Sequence, residues 1–509
     1  MGRGPAVKAQ TEADVCLVLE GTYPFVAGGV SHWTHELMLA QPDLRFHLVC
    51  LVAPNADLTP RYSVPPNVSG ITTIEVGRPP EGCCQVRCVR ELFERLEAPL
   101  RKLFSGGGLD AVKEVLQQLG SHRGRLGKAV LLDSAEAWQV LLRLYHRAYH
   151  ESAFLDYFWT WRMILSGFYS IALADVPPAR VYHPLSTGYA GLFAVRARLV
   201  TGRPVLLTEH GIYTNERRIE IALADWLYQA PCSGLRLQKP AGDLKDMWME
   251  AFTCYSRACY EAASRILTLY GGNQQFQLED GADASKLGII PNGVDYNRFS
   301  ALQPAEGERP PAVALIGRVV PVKDVKTYIR AIAILRELVP DVRALVLGPT
   351  EEDPQYFAEC QALVNHLALQ GCFTFAGRVP VAEHLPRLDV VVLTSISEAQ
   401  PLVVLEAGAA GIPSVVTDVG ACREMIHGDS REKLPLRAGG EVTPLANPTA
   451  TAMAIARLLK NRPYRENAGQ VMRERVRAYY NKPELDRAYR QLYKEWCAAG
   501  PLPPLPEAG

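Results

Sequence analysis

The sequence predicts an α/β protein built from two doubly wound parallel sheets that face each other across a cleft. Nearly continuous apolar runs, such as VVVLT at 390–394, indicate strands that are buried on both faces of a sheet. Helical patterns alternate with these strands, which is typical of parallel sheets. A linker rich in proline and charge, ALQPAEGERPP at 301–311, separates two such series. Because ligands of these folds bind at the carboxyl ends of the strands, we expect the site in the cleft between the two domains.

The first domain is predicted over residues 1–299. Its first helix is expected from about Val30, after a loop, TYPFVAGG at 22–29, that follows the first strand. Between about 85 and 173, apolar residues recur at helical spacing, which indicates a helical insertion in this domain. The predicted strands lie at 15–21, 46–53, 180–183, 204–209 and 264–270.

The second domain is predicted over residues 300–482, and residues 483–509 are expected to form a C-terminal helix and a disordered tail. An Asn-Gly turn at 292–295, just before the linker, is interpreted as an interdomain hinge. The predicted strands of the second domain lie at 312–316, 342–347, 372–375, 389–394 and 413–417. The predicted helices lie at 325–338, 354–367, 401–410 and 448–460, followed by 464–480 and 483–497.

Charge and hydropathy exclude two classes of function. The 509 residues carry 54 Lys and Arg against 54 Asp and Glu, and this balance argues against a nucleic-acid-binding protein. The apolar stretch 163–174 is shorter than the roughly 18 residues that a membrane span needs, and residues 1–14 lack the apolar core of a secretory signal. The 12 cysteines are spread thinly along the chain, which predicts free thiols. We therefore expect a soluble, cytoplasmic protein.

The strongest chemical signal is SEAQPLVVLE at 397–406, which follows a predicted strand and enters a helix. The N–H groups of Leu402, Val403 and Val404 are expected to point out of the start of that helix, where they can bind phosphate oxygens. Glu398 lies before the helix and Glu406 lies inside it, so their carboxylates can bind hydroxyl groups on either side of an anion. This arrangement fits a nucleotide diphosphate sugar, and the alternative is two solvated glutamates near a helix end.

Two cations follow the first predicted strand of the second domain, within GRVVPVKD at 317–324. Arg318 offers a planar fork and Lys323 a mobile point charge, so both can bind one diphosphate. The only adjacent acid is Asp324, and the alternative is a solvated basic turn. Gly348 ends the next strand and permits the close approach of a ligand. The chain has no Asp-x-Asp sequence that could hold a metal at the diphosphate, so we expect neither a metal nor a cofactor.

The first domain offers weaker candidates at the ends of its strands. Gly28 and Gly29 lie at the first strand–helix turn, where paired glycines let the backbone approach a ligand, although a simple tight turn is the alternative. They do not form a G-x-G-x-x-G sequence, so a nicotinamide cofactor is disfavoured. His210 and His183 each end a predicted strand. A lone histidine is more often structural, but this position predicts that His210 is catalytic and that His183 binds substrate.

The second half of the chain resembles the donor-binding domain of glycosyltransferase family 4 over most of residues 265–450. A narrower resemblance, to the PelF-type glycosyltransferases of bacterial Pel exopolysaccharide synthesis, covers nearly the whole chain. The segments that carry the first resemblance are PNGVD at 291–295, GRVVPVKD at 317–324 and SEAQPLVVLEAGAAGIPSVVTDVG at 397–420. Those that carry the second are LEGTYPFVAGGVSHW at 19–33 and TEHGIYTNERRIEI at 208–221, together with the helical insertion.

The resemblance implies the GT-B fold, in which two Rossmann-like domains face each other across a cleft, and a sugar transfer that retains the anomeric configuration. Arg318 and Lys323 would hold the diphosphate of a UDP-sugar. Glu398 would bind hydroxyl groups of the sugar, and Glu406 would bind the ribose. The remaining implied contacts are N–H bonds from Leu402 and Val403 to phosphate, a glycine loop at Gly28 and Gly29, and His210 near the reacting carbon.

The same resemblance implies UDP-glucose or a UDP-N-acetylhexosamine as the donor and a growing Pel polysaccharide as the acceptor. The expected partners are inner-membrane Pel synthase subunits, which would place the chain at the inner membrane without a span of its own. Two alternatives are a sugar-nucleotide epimerase of the same fold and a non-catalytic scaffold subunit that binds a nucleotide sugar. A glycosidase with Glu398 and Glu406 as its acid–base pair leaves the two cations unexplained.

Overall fold

The computed structural model of the chain describes residues 12–83, 86–120, 124–223, 243–305, 307–432 and 436–505. The chain divides into two compact units. Unit 1 comprises Met1–Thr268, Gln274–Gly288 and Tyr489–Gly509, and unit 2 comprises Leu269–Asn273 and Ile289–Ala488.

Unit 1 is built on parallel strands. They are β1 (Ala13–Glu20), β2 (Phe46–Val52), β3 (Val68–Glu75), β4 (Ala179–Pro184), β5 (Leu206–Glu209), β6 (Arg265–Thr268) and β7 (Leu287–Ile289). One sheet has the order β3-β2-β1-β4 and the other the order β5-β6-β7. An isolated parallel bridge between Tyr182 and Val205 continues the pairing from β4 to the residue before β5. Residues 15–19 of β1 are almost completely buried, so both faces of this central strand are covered, as in other parallel sheets.

Helices follow these strands and fill the predicted insertion. They are α1 (Gly29–Leu39), α2 (Val89–Leu103), α3 (Gly108–Gly120), α4 (Lys128–Leu131), α5 (Ala135–Leu144), α6 (Phe154–Leu173), α7 (Tyr189–Thr201), α8 (Tyr213–Leu223), α9 (Leu244–Ala262) and α10 (Gly271–Glu279). The predicted helical region 85–173 contains α2 to α6. In α2, Leu92, Leu96 and Leu100 recur every four residues and are buried, so one face of the helix packs into the core of unit 1.

Unit 2 contains one six-stranded parallel sheet. Its strands are β8 (Ala312–Ile316), β9 (Arg343–Leu347), β10 (Phe373–Gly377), β11 (Val390–Leu393), β12 (Ser414–Thr417) and β13 (Gly440–Thr443). Their order is β10-β9-β8-β11-β12-β13, and each neighbouring pair is parallel. The order therefore reverses between β8 and β11. This pair of strands is the topological switch point of a doubly wound sheet, the place outside which such folds bind their ligands.

Helices cover both faces of the sheet in unit 2. They are α11 (Tyr296–Ser300), α12 (Val325–Leu338), α13 (Pro354–His366), α14 (Val381–His384), α15 (Leu402–Ala409), α16 (Cys422–His427), α17 (Pro448–Lys460), α18 (Arg462–Tyr479) and α19 (Lys482–Ala499). Ile332 of α12 and Ile455 of α17 belong to the apolar core on one face. Leu405 of α15 and Met472 of α18 belong to the core on the other face. The loops at the carboxyl ends of the strands are therefore anchored on a sheet that is packed on both faces.

The start of unit 2 differs from the predicted domain boundary at 299/300. The Val294 N–H donates to the Tyr480 carbonyl at 3.0 Å, and the Lys482 N–H donates to the Val294 carbonyl at 3.0 Å. The turn at 292–295, predicted to be a hinge, is therefore fixed within unit 2. The sequence composition changes at the linker 301–311, but the chain passes from unit 1 to the main segment of unit 2 already at Ile289.

The C-terminal segment also differs from its prediction. Helix α19 begins in unit 2, but from Tyr489 onward it belongs to unit 1. After it, the Leu502 N–H donates to the Gly202 carbonyl at 2.8 Å, and Arg198 donates to the Pro503 carbonyl at 2.5 Å. The prediction of a disordered tail is therefore wrong for 501–505, and its last four residues lie outside the described part of the chain.

Candidate functional site

The loops that follow β8 and β11 are tied together at the switch point of unit 2. The Ile396 N–H donates to the Val322 carbonyl at 2.9 Å. The Thr394 hydroxyl lies 3.0 Å from the carbonyl oxygens of both Lys323 and Asp324. These contacts join two segments that the sequence analysis selected separately, and they fix the loop of one cation against the loop of one acid.

Lys323 and Glu398 form an ion pair across these two loops. Only 18% of the Lys323 side chain and 13% of the Glu398 side chain are exposed. Because a buried charge without a partner is costly, each group compensates the other in the absence of a ligand. The two predicted site residues are thus brought together, although 75 residues separate them in the chain.

Arg318 has a different partner from Lys323. Its guanidinium lies 2.8 Å from a carboxylate oxygen of Glu352, in the loop after β9, and 54% of its side chain is exposed. The sequence showed Asp324 as the only adjacent acid, whereas the structure pairs each predicted cation with an acid from a distant loop. That both cations bind a single diphosphate stays a prediction.

The start of α15 provides two of the three predicted backbone donors. The helix begins at Leu402, directly after Pro401, and the Val404 N–H donates to the Pro401 carbonyl at 3.2 Å, so the prediction that it is open to an anion is wrong. The first N–H groups of a helix have no partner inside the helix, so those of Leu402 and Val403 are the ones suited to an anion.

Glu406 lies one helical turn further along α15. Burial raises the pKa of its carboxyl group, and the nearby positive charge of Arg298 on α11 lowers it by a smaller amount. A largely desolvated carboxylate is a strong hydrogen-bond acceptor, so Glu406 is suited to binding a pair of hydroxyl groups. Arg298 was missed by the sequence analysis, because it lies 108 positions earlier in the chain.

Gly348 is required by packing between the site loops. A Cβ atom at this position would lie 2.1 Å from the carbonyl oxygen of Gly317, which precedes Arg318. The Gly317 N–H also donates to the Leu347 carbonyl at 2.9 Å. The structure therefore explains the glycine by the contact between the loops after β8 and β9, while the predicted approach of a ligand at Gly348 stays a prediction.

Two further residues support the loop that carries Glu398, and the sequence analysis missed both. A Cβ atom at Gly420 would lie 2.0 Å from the carbonyl oxygen of Glu398. The Gln400 side chain accepts a hydrogen bond from the Asn292 N–H at 2.7 Å and donates to the Asn292 carbonyl at 3.3 Å. The turn that contains Asn292 is thus fastened to the candidate site. The TDVG sequence at 417–420 was a local signal for Gly420, but nothing local pairs Gln400 with Asn292.

In unit 1, Gly28 and Gly29 lie at the start of α1, at the end of the loop that follows β1. A Cβ atom at either position would meet nothing within 4 Å among the described residues. The backbone of Gly28 is extended, a conformation that any residue can adopt. Neither packing nor conformation therefore demands glycine here, and the open space beside both residues is compatible with the close approach of a ligand.

His210 follows β5 and is 9% exposed. Its ring meets the Trp33 ring edge-on, with the ring centroids 4.6 Å apart. Nε2 is buried and has no hydrogen-bond partner among the described residues. Burial lowers the pKa of His210 to about 4, so the imidazole is neutral at pH 7. A neutral imidazole with an unused buried nitrogen can donate to, or accept from, a sugar hydroxyl.

The structure contradicts the predicted role of His183 in binding substrate. The residue is completely buried. Its Nδ1 lies 2.7 Å from the Tyr493 hydroxyl, and its Nε2 lies 2.8 Å from the Thr208 hydroxyl. Both ring nitrogens are occupied, so His183 supports the strand that leads to His210. The sequence could not show this, because Tyr493 lies 310 residues away.

Glu209, next to His210, is a buried acid that the sequence analysis passed over. It accepts hydrogen bonds from the Tyr260 hydroxyl and the Gln277 amide, each at 2.8 Å. Burial raises the pKa of Glu209 to about 7, although these hydrogen bonds oppose the effect. The residue holds β5, α9 and α10 together, and its charge changes near neutral pH.

Comparison with known protein families divides the chain into two parts. Residues 13–285 match the family model described as a domain of unknown function (DUF3492). Residues 300–475 match the family model described as glycosyl transferases group 1. The second match contains both loops of the switch point and helix α15.

Curated relatives resemble part of the chain. It is 29% identical over 229 residues to a D-inositol 3-phosphate glycosyltransferase of Kineococcus radiotolerans, which covers 41% of this chain and 52% of that protein. It is 31% identical over 175 residues to an N-acetyl-alpha-D-glucosaminyl L-malate synthase of Bacillus anthracis, which covers 34% of this chain and 42% of that protein. The chain thus spans about half the length of the curated relatives that it matches.

Solved structures resemble nearly the whole chain. Sucrose-phosphate synthase from Thermosynechococcus elongatus matches with a TM-score of 0.56 and 16% identity, covering 95% of this chain and 100% of that one. HepE from Anabaena, solved in complex with UDP, matches with a TM-score of 0.55 and 12% identity, covering 94% and 99%. At these identities the likeness concerns the fold alone, and it confirms the predicted GT-B class with two Rossmann-like domains. The predicted placement of the ligand between the domains stays a prediction.

Proposed function

The chain belongs to the family described as a domain of unknown function (DUF3492) and carries a group 1 glycosyltransferase domain, and from this premise we propose that it is a retaining glycosyltransferase. It transfers a sugar from a UDP-sugar to a growing exopolysaccharide of the Pel type. The donor binds to unit 2, and neither a metal nor a cofactor takes part.

One observation carries the proposal, namely the Lys323–Glu398 ion pair at the switch point of unit 2. Outside the carboxyl ends of β8 and β11, a doubly wound sheet is open to a ligand. There the chain offers one cation for phosphate, one acid for sugar hydroxyls, and the start of α15 for phosphate oxygens. A nucleotide diphosphate sugar contains both complementary groups, a diphosphate and sugar hydroxyls.

Donor binding exchanges the partners of the two cations. The diphosphate carries more negative charge than one carboxylate, so it competes with Glu398 for Lys323 and leaves Glu398 to accept bonds from the sugar. The exposed Arg318–Glu352 pair contributes little on its own, so Arg318 can turn to the phosphates at small cost. Both cations then stabilise the charge that develops on the departing diphosphate, the kind of electrostatic effect that is usually the largest in such steps.

The assignment of UDP and of the sugar rests on similarity. HepE, a structural relative, was solved with UDP and with UDP-glucose. The resemblance to glycosyltransferase family 4 favours UDP-glucose or a UDP-N-acetylhexosamine. Glu406 then binds the ribose, the N–H groups of Leu402 and Val403 bind phosphate, and His210 contacts the sugar near the reacting carbon.

The acceptor, the partners and the location follow from the narrower resemblance to PelF-type enzymes. It implies a growing Pel polysaccharide in the cytosol and inner-membrane synthase subunits that recruit the chain. Within the described ranges, none of the helices combines the length and the apolar character needed to cross a bilayer. Fractionation of cells with and without the synthase subunits tests the recruitment, and a chain that pellets with membranes in both cases contradicts it.

A panel of nucleotide sugars tests the proposed reaction, with nucleotide release and product analysis as readouts. We expect UDP release together with an extended acceptor. An isomeric UDP-sugar would instead indicate an epimerase, binding without release would indicate a scaffold, and cleavage of a glycan without a nucleotide sugar would indicate a glycosidase.

A matched pair of lysine variants sharpens this test. Lys323 and Lys326 lie three residues apart, and each pairs with a glutamate. Lys323→Gln should lose UDP release by roughly 10²–10³-fold, as expected when one group that stabilises charge in the transition state is removed. Lys326→Gln, whose partner Glu359 lies on the surface helix α13, should remain as active as the unchanged protein. Equal activity of the two folded variants would contradict the assigned site.

A further inference from the structure

The ring of His210 contacts the ring of Trp33, which in turn contacts the ring of Tyr489. Trp33, on α1, meets the His210 ring edge-on at an angle of 77°. Tyr489, on α19, meets the Trp33 ring in a similar way, with the ring centroids 5.4 Å apart and an angle of 72°. Trp33 therefore contacts both residues, and it lies four positions after Gly29 in the helix that begins at the glycine turn.

Tyr489 also reaches the strand that carries His210. Its hydroxyl lies 3.3 Å from the Thr208 hydroxyl, two residues before His210. The Thr208 hydroxyl in turn contacts Nε2 of the buried His183 at 2.8 Å. Tyr489 is thus linked to His210 by two chains of contacts, one through the Trp33 ring and one through the end of β5.

We propose that Trp33 and Tyr489 are positioning residues for His210, which hold its imidazole in the orientation that the reaction requires. The role of His210 at the sugar rests on the proposed function. The ring contacts matter because Nε2 has no hydrogen-bond partner among the described residues that would fix the ring. A neutral imidazole has one donor and one acceptor nitrogen, so a rotation of the ring exchanges the group that faces a ligand. Packing against Trp33 prevents that exchange.

Kinetics of leucine variants test the proposal through activity. Trp33→Leu and Tyr489→Leu remove a ring while keeping an apolar side chain, and each should lower kcat by roughly 10²-fold, the cost of a small misplacement of a reacting group. KM for the donor should change little, because the donor binds to unit 2. In a His210→Ala background, neither substitution should lower kcat further. Additional losses in that background would show that the two residues act independently of His210 and would overturn the proposal.

Tyr493→Phe is the matched control on the same helix. It removes a hydroxyl that bonds to His183 and keeps the ring, whose centroid lies 6.2 Å from that of Tyr489. It should lower the stability of unit 1, because a buried nitrogen loses its partner, while kcat stays close to that of the unchanged protein. A fall in kcat as large as that of Tyr489→Leu would mean that loosening α19 alone explains the effect, and it would overturn the positioning role.

Titration of His210 by NMR gives a readout that does not depend on turnover. With selectively labelled histidine, its signal is identified as the one missing from His210→Ala. In the unchanged protein, burial lowers the pKa of His210 to about 4. Trp33→Leu should shift the titration midpoint upward, toward the ordinary 6.5, because water gains access to the ring. Tyr489→Leu should shift it in the same direction and Tyr493→Phe should not.

The two readouts separate this inference from the proposed function. If the titration midpoint of His210 shifts upward in the leucine variants but no nucleotide sugar is turned over, the proposed transfer is contradicted. The conclusion that Trp33 and Tyr489 hold His210 in place is then still supported. If transfer occurs and the titration is the same in the unchanged protein and in both leucine variants, the positioning role fails and the proposed function stands.

Discussion

Replacement of Glu209 by glutamine should make unit 1 more stable above neutral pH. Burial raises the pKa of Glu209 from 4.5 to about 7. Between these values the folded chain keeps a proton that the unfolded chain has released, so the free energy of unfolding falls as the pH rises through this window. At about 1.36 kcal/mol for each pKa unit, the loss amounts to about 3 kcal/mol above pH 7. Glutamine has no proton to release and can still accept hydrogen bonds from Tyr260 and Gln277, so Glu209→Gln avoids this loss.

Tryptophan fluorescence reports this effect in unit 1, because every tryptophan among the described residues belongs to that unit. Urea titrations of both proteins from pH 4.5 to 8 give the difference in the free energy of unfolding. We expect this difference to be near zero at pH 4.5 and to rise to about 3 kcal/mol at pH 8. His183 and His210 are protonated below pH 6.5 in the unfolded chain, which gives a slope of opposite sign, but both proteins share them and the difference cancels their effect.

Glu94→Gln serves as the control, because Glu94 is an acid on α2 with 60% of its side chain exposed. It should differ from the unchanged protein by a small amount, since substitutions of exposed residues usually change the free energy of unfolding by less than about 0.5 kcal/mol. A difference between Glu209→Gln and the unchanged protein that is constant from pH 4.5 to 8 would refute the reasoning, since it would show that Glu209 is ionised alike in the folded and unfolded chains.

Two further predictions concern packing and protonation. Gly348→Ala should destabilise unit 2 by about 1–3 kcal/mol, because its Cβ atom would lie 2.1 Å from the Gly317 carbonyl oxygen. Thermal unfolding followed by circular dichroism measures the loss. The control is Gly371→Ala, where the new Cβ would meet nothing within 4 Å among the described residues. His183→Gln should be less stable than the unchanged protein at pH 7 but should lose less stability on acidification. Burial lowers the pKa of His183 to about 3, so protonation opposes folding as the pH falls below 6.5, by about 3 kcal/mol at pH 4; equal losses in the two proteins would contradict this.

The sequence predicted those parts of the fold that depend on local patterns. The strands β8 and β11 are short apolar runs with buried faces, and α15 follows a turn that contains a proline, so each was found within a few residues. Strand β3 was missed because its exposed and partly buried residues alternate at the edge of the sheet, which leaves no continuous apolar run. Strand β13, GEVT, is short and half polar, and only its pairing with β12 makes it a strand.

The candidate site was predicted by residue type but not by partner. The sequence placed Lys323 and Glu398 at the carboxyl ends of two strands, yet only the strand order of unit 2 makes those strands neighbours. His183 was also predicted to bind substrate, because it too ends a strand. Its partner Tyr493 lies on a helix 310 residues later in the chain. No local pattern reveals that both ring nitrogens of His183 already have hydrogen-bond partners. Long-range contacts of this kind decide whether a polar residue at a strand end binds a ligand or supports the fold.

The Lys323–Glu398 pair also bears on how the site would discriminate between ligands. Neither charge can lose its partner cheaply, because both side chains are largely buried and an uncompensated buried charge costs several kcal/mol. A free sugar offers hydroxyl groups to Glu398 but nothing negative to Lys323, so it leaves the cation without compensation. A nucleoside diphosphate alone satisfies Lys323 but leaves Glu398 without a partner. Under the proposed function, a ligand that joins a diphosphate to a sugar replaces both halves of the ion pair at once, so we predict that a nucleotide diphosphate sugar binds more tightly than either of its parts.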